Sequence, residues 1–216
     1  MRELPAGHDA VVLDFGDEDR PLSAVGRAAA ALREATESGA LSVGDIVPTA
    51  HTVLVQAEPG AGLDMLGVHR ALRGVSADDA PSAGDTAEIR IPVVYDGPDL
   101  HEVAEIVNTT PEDVIELHTA TVWQVQFMGF APGFGYLVPR DGGDHPFDQV
   151  GRRPEARTRV PSGAIAIAAG YSAVYPRTSP GGWQLLGHTS IPMWDETADP
   201  PARLAPGSMV RFVVDE

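Results

Sequence analysis

Cysteine is absent from the 216 residues, which excludes disulfides, thiolate nucleophiles and thiolate-held zinc or iron–sulfur centres. Lysine is absent too, and all 15 basic side chains are arginine. This chain therefore has no Schiff-base amine, no P-loop lysine and no biotin-carrying lysine. Positive charge is scarce overall: 31 acidic residues leave a formal charge of −16, which opposes nucleic-acid backbones and anionic membrane surfaces, since both are bound through basic patches. No nucleic acid and no membrane is expected among the partners. No apolar run approaches the ~20 residues that span a bilayer, and Met1 to Asp9 lacks the apolar segment of a signal peptide. The expectation is a soluble cytoplasmic protein. The seven histidines are scattered with no pair at metal-ligand spacing, so no metal site is readable. Ser162 stands outside any Gly-x-Ser-x-Gly elbow, so a serine-hydrolase triad has no support.

What is present is globular in character, with 43% apolar and 21% charged residues, and the length suits two domains. The first third alternates short strands and helices. Ala10 to Phe15 is strand-like. Pro21 to Ser38 places Leu22, Val25, Ala29 and Leu32 on one helical face. Leu41 to Val47 and His51 to Ala57 form a hairpin-length pair, and Leu63 to Leu72 is a second helix ending at Gly74. The small, polar stretch Ser76 to Asp85 reads as a linker, and Glu88 to Tyr95 returns to strand. Strand, helix, strand, strand, helix, strand is the order of a ferredoxin-like α/β sandwich, although the last strand suits the next domain equally. The boundary is placed between residues 1–90 and 91–216.

Asp99 with Glu102, and Thr110-Pro111-Glu112-Asp113, read as the starts of two helices. Beyond them the composition shifts. Ten of the thirteen aromatics lie between Trp123 and Trp194 among dense glycine and proline. Strands are expected at Trp123–Met128, Ala164–Ala168, Trp183–Leu186 and Met209–Val214, which suggests an antiparallel barrel or sandwich.

Three segments of this second domain could carry chemistry. In Phe127 to Leu137, Gly133 and Gly135 permit positive φ, Pro132 stiffens the turn, and Phe130, Phe134 and Tyr136 offer apolar walls; the plainer alternative is a buried turn packed by aromatics. Between Arg140 and Arg177 six arginines face four acids, whereas the rest of the chain carries nine against twenty-seven. Such an island can grip an anionic substrate, with Arg157 and Arg159 beside the stiff Pro161; the alternative is a solvated or internally paired loop. The Pro180-Gly181-Gly182-Trp183 turn could set an indole beside a ligand, or simply anchor a core tryptophan, and His188 is an ordinary strand-end histidine or a substrate contact.

Taken in order, Phe127 to Leu137, Arg157 to Gly163 and Tyr175 to Gly187 resemble the signature of the 5-oxoprolinase B-subunit family. That family is also called allophanate hydrolase subunit 1 and includes an inhibitor of a sporulation histidine kinase. Tyr95 to Leu100 and Pro206 to Phe212 extend the likeness. Three departures are visible: Glu155-Ala156-Arg157 stands for the usual Thr-Pro-Arg, His188 for an arginine, and Leu137-Val138-Pro139 for Leu-Gly-Gly. The resemblance implies an α/β domain followed by a cyclophilin-like β-barrel. It also implies ATP used by an assembled complex to open 5-oxoproline to glutamate, or an allophanate-hydrolase-like enzyme. The partner in that complex is a paralogous C-type subunit (allophanate hydrolase subunit 2 type), joined in some cases by an A-type one. The small anionic or cyclic amide substrate would meet Phe130, Pro132, Gly133, Phe134, Tyr136, Pro161, Gly181, Gly182, Trp183 and His188, with Arg157 and Arg159 as catalytic donors. The alternatives are a non-catalytic regulator of a histidine kinase and part of a biotin-dependent carboxyltransferase.

Overall fold

The computed structural model describes residues 1–18, 21–73, 88–141 and 144–215. The chain separates into two compact units, Met1–Gly84 and Asp85–Glu216. The expected linker at 76–85 and the stop at Gly74 lie outside the described residues.

The first unit contains β1 (Arg2–Pro5), β2 (Ala10–Asp14), α1 (Pro21–Glu37), β3 (Asp45–Pro48), β4 (Thr52–Gln56) and α2 (Met65–Leu72). Its sheet order is β1-β2-β4-β3, antiparallel throughout. Val11 and Leu13 alternate inward on β2, as Val53 and Val55 do on β4, against Val25, Ala29 and Leu32 of α1. This is the ferredoxin-like layout with one difference from expectation. The edge strand beside β2 comes from the N-terminus, and Ile89 to Val93 belongs wholly to the second unit. All four β1 residues are exposed, so β1 has no inward face to read, and its Arg, Glu and Pro suit an edge that discourages further pairing. The boundary expected at 90/91 falls inside that later strand.

The second unit holds β5 (Ile89–Val93), α3 (Leu100–Ile106), α4 (Pro111–Ala120), β6 (Trp123–Met128), β7 (Gly135–Pro139), a 3-10 turn (Pro146–Gln149), β8 (Arg157–Val160), β9 (Ala164–Ala168), β10 (Tyr171–Val174), β11 (Ser179–Gly181), β12 (Gln184–His188) and β13 (Met209–Val214). Seven strands run β12-β9-β10-β7-β6-β13-β5, with β8 and β11 as a separate ribbon. Every pair in the seven-stranded sheet is antiparallel except β13 with β5, which is parallel. The edges then meet. Val94 and His188 exchange backbone hydrogen bonds of 2.9 Å each, Gly97 N–H donates to Leu186 O at 3.0 Å and Asp99 N–H to Leu185 O at 3.2 Å. The sheet is therefore a nearly closed barrel. A Cβ on Gly97 would strike the backbone of Leu185 and Leu186, and one on Gly187 would strike Val94 O, so the seam needs glycine on both sides.

Asp99 anchors this seam. The spacing to Glu102 predicts a capping box, but the Asp99 side chain makes no cap hydrogen bond. Its carboxylate, 3% exposed, instead accepts from Leu185 N–H at 2.7 Å, Arg153 Nη1 at 2.9 Å and Arg157 Nη2 at 2.6 Å. The Thr110–Asp113 capping box does form. In the larger core a fully buried His118 bridges Tyr95 OH (2.7 Å) and Ser172 Oγ (2.9 Å) and stacks on Phe212. A neutral ring satisfies both neighbours with one donor and one acceptor. Burial, with a smaller repulsion from His145, pushes the His118 pKa down to about 3.

Asp99→Asn removes the charge facing two arginines and should cost about 3 kcal/mol of stability, read as a lower urea midpoint; an unchanged midpoint would show that the ion pairs are dispensable. His118 gives a pH signature. Its folded pKa lies below the unfolded value near ~6.5, so the unfolded chain takes up the proton first and stability falls as pH drops from about 6.5 toward 3. Urea unfolding at pH 7 and pH 5 should show wild type losing about 2 kcal/mol more than His118→Gln over that interval. Equal losses would mean that His118 does not titrate in this way.

Candidate functional site

β9 reads Ala-Ile-Ala-Ile-Ala and is buried along its whole length. Strand alternation sends Ile165 and Ile167 into the larger core with Trp123, Leu137 and Phe212, and sends Ala164, Ala166 and Ala168 to the opposite face. Methyl groups leave depth for rings, and that face is covered by Phe134, Tyr175 and Trp183, with Tyr136 and Tyr171 packed against them. Ring centroids lie 5.3 Å apart for Phe134–Tyr175, 5.7 Å for Phe134–Trp183 and 5.6 Å for Tyr136–Trp183. Phe127 stacks on Tyr136 at 4.2 Å.

The loop feeding this cluster is tied by Gly129 N–H to Phe134 O at 3.1 Å and Phe134 N–H to Ala131 O at 3.0 Å. Gly133 has φ of +82°, and a Cβ there would stand 2.8 Å from Met193 O, which explains glycine. Phe130 holds φ of +65° without being glycine. The residue is 58% exposed, yet its ring rests edge-on against Phe134 and Tyr175. A bulky residue held in the left-handed region at an exposed tip is a candidate contact.

The β8–β11 ribbon joins the same region. Arg157 pairs with Gly181 and Val160 with Ser179, Arg153 N–H donates to Gly182 O at 2.7 Å, and Gly163 N–H donates to Tyr175 O at 2.8 Å. A Cβ on Gly181 would meet the Tyr175 hydroxyl. The three segments marked by the sequence therefore converge. Within them Phe134 and Trp183 are buried floor, Tyr136 is half-buried, and Gly181 and Gly182 are partly covered. Pro132, Pro161 and Arg159 are exposed, while Gly133 is buried. His188 departs from the group. It lies at the far end of β12 from Trp183, where Nδ1 is 2.8 Å from Asp96 Oδ1.

The arginines divide by environment. Arg157 Nη2 is committed to Asp99, so Arg157 is first a structural anchor. Arg153, passed over in the sequence, shares that carboxylate. Arg159 takes part in no ion pair among the described residues. Exposed Arg152 counteracts the rise in pKa that burial imposes on Tyr136 and Tyr175. Tyr171 is also raised by burial, with Tyr136 adding to it. All three phenols stay protonated at neutral pH and available as neutral donors. Asp99, Arg152, Arg153 and Tyr175 escaped the sequence reading as site residues. Asp99 lies 86 residues from Leu185, and local spacing carries no signal over that distance. His118 and Ser172, 2.9 Å apart, have the spacing of a base and nucleophile, but both are fully buried, which leaves substrate no approach.

Known proteins resemble this chain in sequence and in fold. Over 128 residues the chain is 44% identical to the 5-oxoprolinase B subunit of Escherichia coli O157:H7, covering 58% of this chain and 57% of that protein. The corresponding protein of Bacillus subtilis is 41% identical over 128 residues, 52% of its length. The matches thus span about half of the length of these relatives. The crystal structure of TTHA0988 superposes with a TM-score of 0.78 at 32% identity, covering 96% of this chain and 40% of that one. PH0987 from Pyrococcus horikoshii superposes with a TM-score of 0.56 at 29% identity over 98% of its chain. The K. lactis urea amidolyase, at 17% identity and a TM-score of 0.76, shares the fold. The family description "carboxyltransferase domain, subdomain C and D" matches residues 1–204, and with that coverage the chain belongs to the carboxyltransferase-domain subdomain C and D family.

Proposed function

We propose that the chain is one component of a heteromeric, ATP-dependent hydrolase that opens a cyclic amide, with 5-oxoproline as the leading substrate and a paralogous C-type subunit for its working partner. An A-type subunit joins them in the fuller assembly. The observation that carries this reading is the 39–44% identity to proteins named as the B subunit of 5-oxoprolinase. The site is chemically compatible. An amide is a poor electrophile; phosphorylating its oxygen activates the ring carbon, and water adds there. The C–N bond breaks as the ring nitrogen takes a proton and leaves as the amine, and the acyl phosphate that results is hydrolysed to the carboxylate and phosphate. Negative charge then develops where N–H donors are needed. Arg157 is fixed in place by Asp99, while Arg159 is unpaired among the described residues and exposed; these are the arginines assigned to substrate charge. Phe130 and Tyr136 provide the accessible apolar surface above the Phe134–Trp183 floor. ATP belongs to the assembled complex in this reading.

The competing reading, part of a biotin-dependent carboxyltransferase, draws on the family description itself. One experiment separates them. Co-expression with the neighbouring C-type subunit should give co-elution in size exclusion and ATP-dependent conversion of 5-oxoproline to glutamate, with this chain alone nearly inactive. Separate elution of the two proteins at micromolar concentration would remove the heteromer, and a co-eluting complex without this turnover would move the assignment to carboxyl transfer.

A further inference from the structure

Asp99 holds two guanidinium groups, yet neither is saturated. Arg157 Nη1 and Arg153 Nε are buried and without hydrogen-bond partners, as are Ser179 Oγ on β11 and Gln184 Oε1. Gln184 is itself 2% exposed and directly precedes Leu185, whose N–H is bound to Asp99. Unmet donors on a charged group are costly, and folded proteins keep them where a ligand or ordered water meets them. The side chains bearing these donors still border solvent, Arg153 being 27% and Arg157 23% exposed.

A second acid stands beside Arg153. Glu102 Oε2 is 3.6 Å from Arg153 Nη1, beyond hydrogen-bonding distance, and its side chain is 52% exposed. The two carboxylates at this arginine pair therefore differ in kind. Asp99 is buried, takes three hydrogen bonds and cannot leave without opening the seam. Glu102 is half exposed and makes no hydrogen bond to Arg153, the sort of exposed pair that contributes little. Its place is one that an incoming carboxylate could take at small cost.

We propose that Arg153 and Arg157 form a carboxylate-binding subsite, set by Asp99 as a positioning residue and held between turnovers by the exchangeable carboxylate of Glu102. A ligand carboxylate displaces Glu102 and accepts one N–H from each of the two guanidinium groups, the unspent Arg157 Nη1 and Arg153 Nε, as charge-assisted hydrogen bonds. The substrate class is then a small cyclic amide carrying a carboxylate, and this rests on the cyclic-amide reading above. The subsite assigns Arg157 to the fixed charge of the substrate and leaves Arg159 for charge that develops during reaction.

The test uses substitutions of opposite sign. Arg157→Lys keeps a cation for Asp99 but loses the second fork nitrogen, and should weaken 5-oxoproline binding by about tenfold or more, the worth of one hydrogen bond to a charged group. Glu102→Gln removes the competitor and should tighten binding. Full-length chain and co-purified complex would be titrated with 5-oxoproline, with 2-pyrrolidinone (the same ring without a carboxylate), with acetate and with inorganic phosphate, following the arginine side-chain N–H signals by nuclear magnetic resonance. Melting curves confirm folding, and Arg153→Lys substitutes if Arg157→Lys unfolds. Weak binding of 2-pyrrolidinone, unaffected by either variant, is expected. Equal 5-oxoproline binding in wild type and both variants overturns the subsite while leaving the substrate reading intact, and means that water meets the free N–H groups. Acetate binding that depends on Arg157, with no 5-oxoproline binding, supports the subsite and removes the substrate. Phosphate binding with neither carboxylate overturns the carboxylate assignment.

Discussion

The second unit depends on one buried carboxylate. Asp99 is the point at which the edge strand β12, the start of α3 and two arginines, Arg157 on β8 and Arg153 just before it, are joined: its backbone N–H and side chain together take both backbone groups of Leu185, and its Oδ1 receives both Arg153 and Arg157. A buried charge is tolerated only when it is paired and hydrogen-bonded. Meeting that condition is what draws residues far apart in sequence into one place. The same condition orients the guanidinium groups, so the force that closes the barrel also prepares its most polar corner.

The alternation on β9 separates two jobs within one strand. Isoleucines build the larger core, and alanines on the reverse face make room for a stack of aromatic rings that would not fit over larger side chains. The floor of the candidate site is thereby part of the hydrophobic framework. Changes to Phe134 or Trp183 act through packing before they act through recognition, whereas Phe130 at the exposed tip can change recognition with little loss of buried area.

Strands with strong alternation were legible. Trp123–Met128, Ala164–Ala168 and Met209–Val214 form where the pattern placed them, and the three motif-bearing segments meet as their glycine and aromatic content suggested. Elements with no buried face were not legible, as β1 shows. Pairings that depend on charge neutralisation over long separations were hidden too: Asp99 sits at the spacing of a helix cap, and nothing nearby distinguishes a carboxylate that caps from one that reaches Arg153, Arg157 and Leu185. His118 looked like any other scattered histidine because its partners, Tyr95 and Ser172, come from distant parts of the chain. The parallel pairing of β5 with β13 likewise follows from how the chain ends up around the barrel and not from either strand's own pattern.

Phe130 is held from both sides, by a backbone turn closed between Gly129 and Phe134 and by ring contacts with Phe134 and Tyr175. A surface ring on a mobile loop forfeits rotational freedom when something settles on it, and that loss subtracts from affinity. Here the freedom was surrendered when the chain folded. Whatever lands on this ring meets a shape already made, so complexes formed there should differ more in how long they last than in how fast they form.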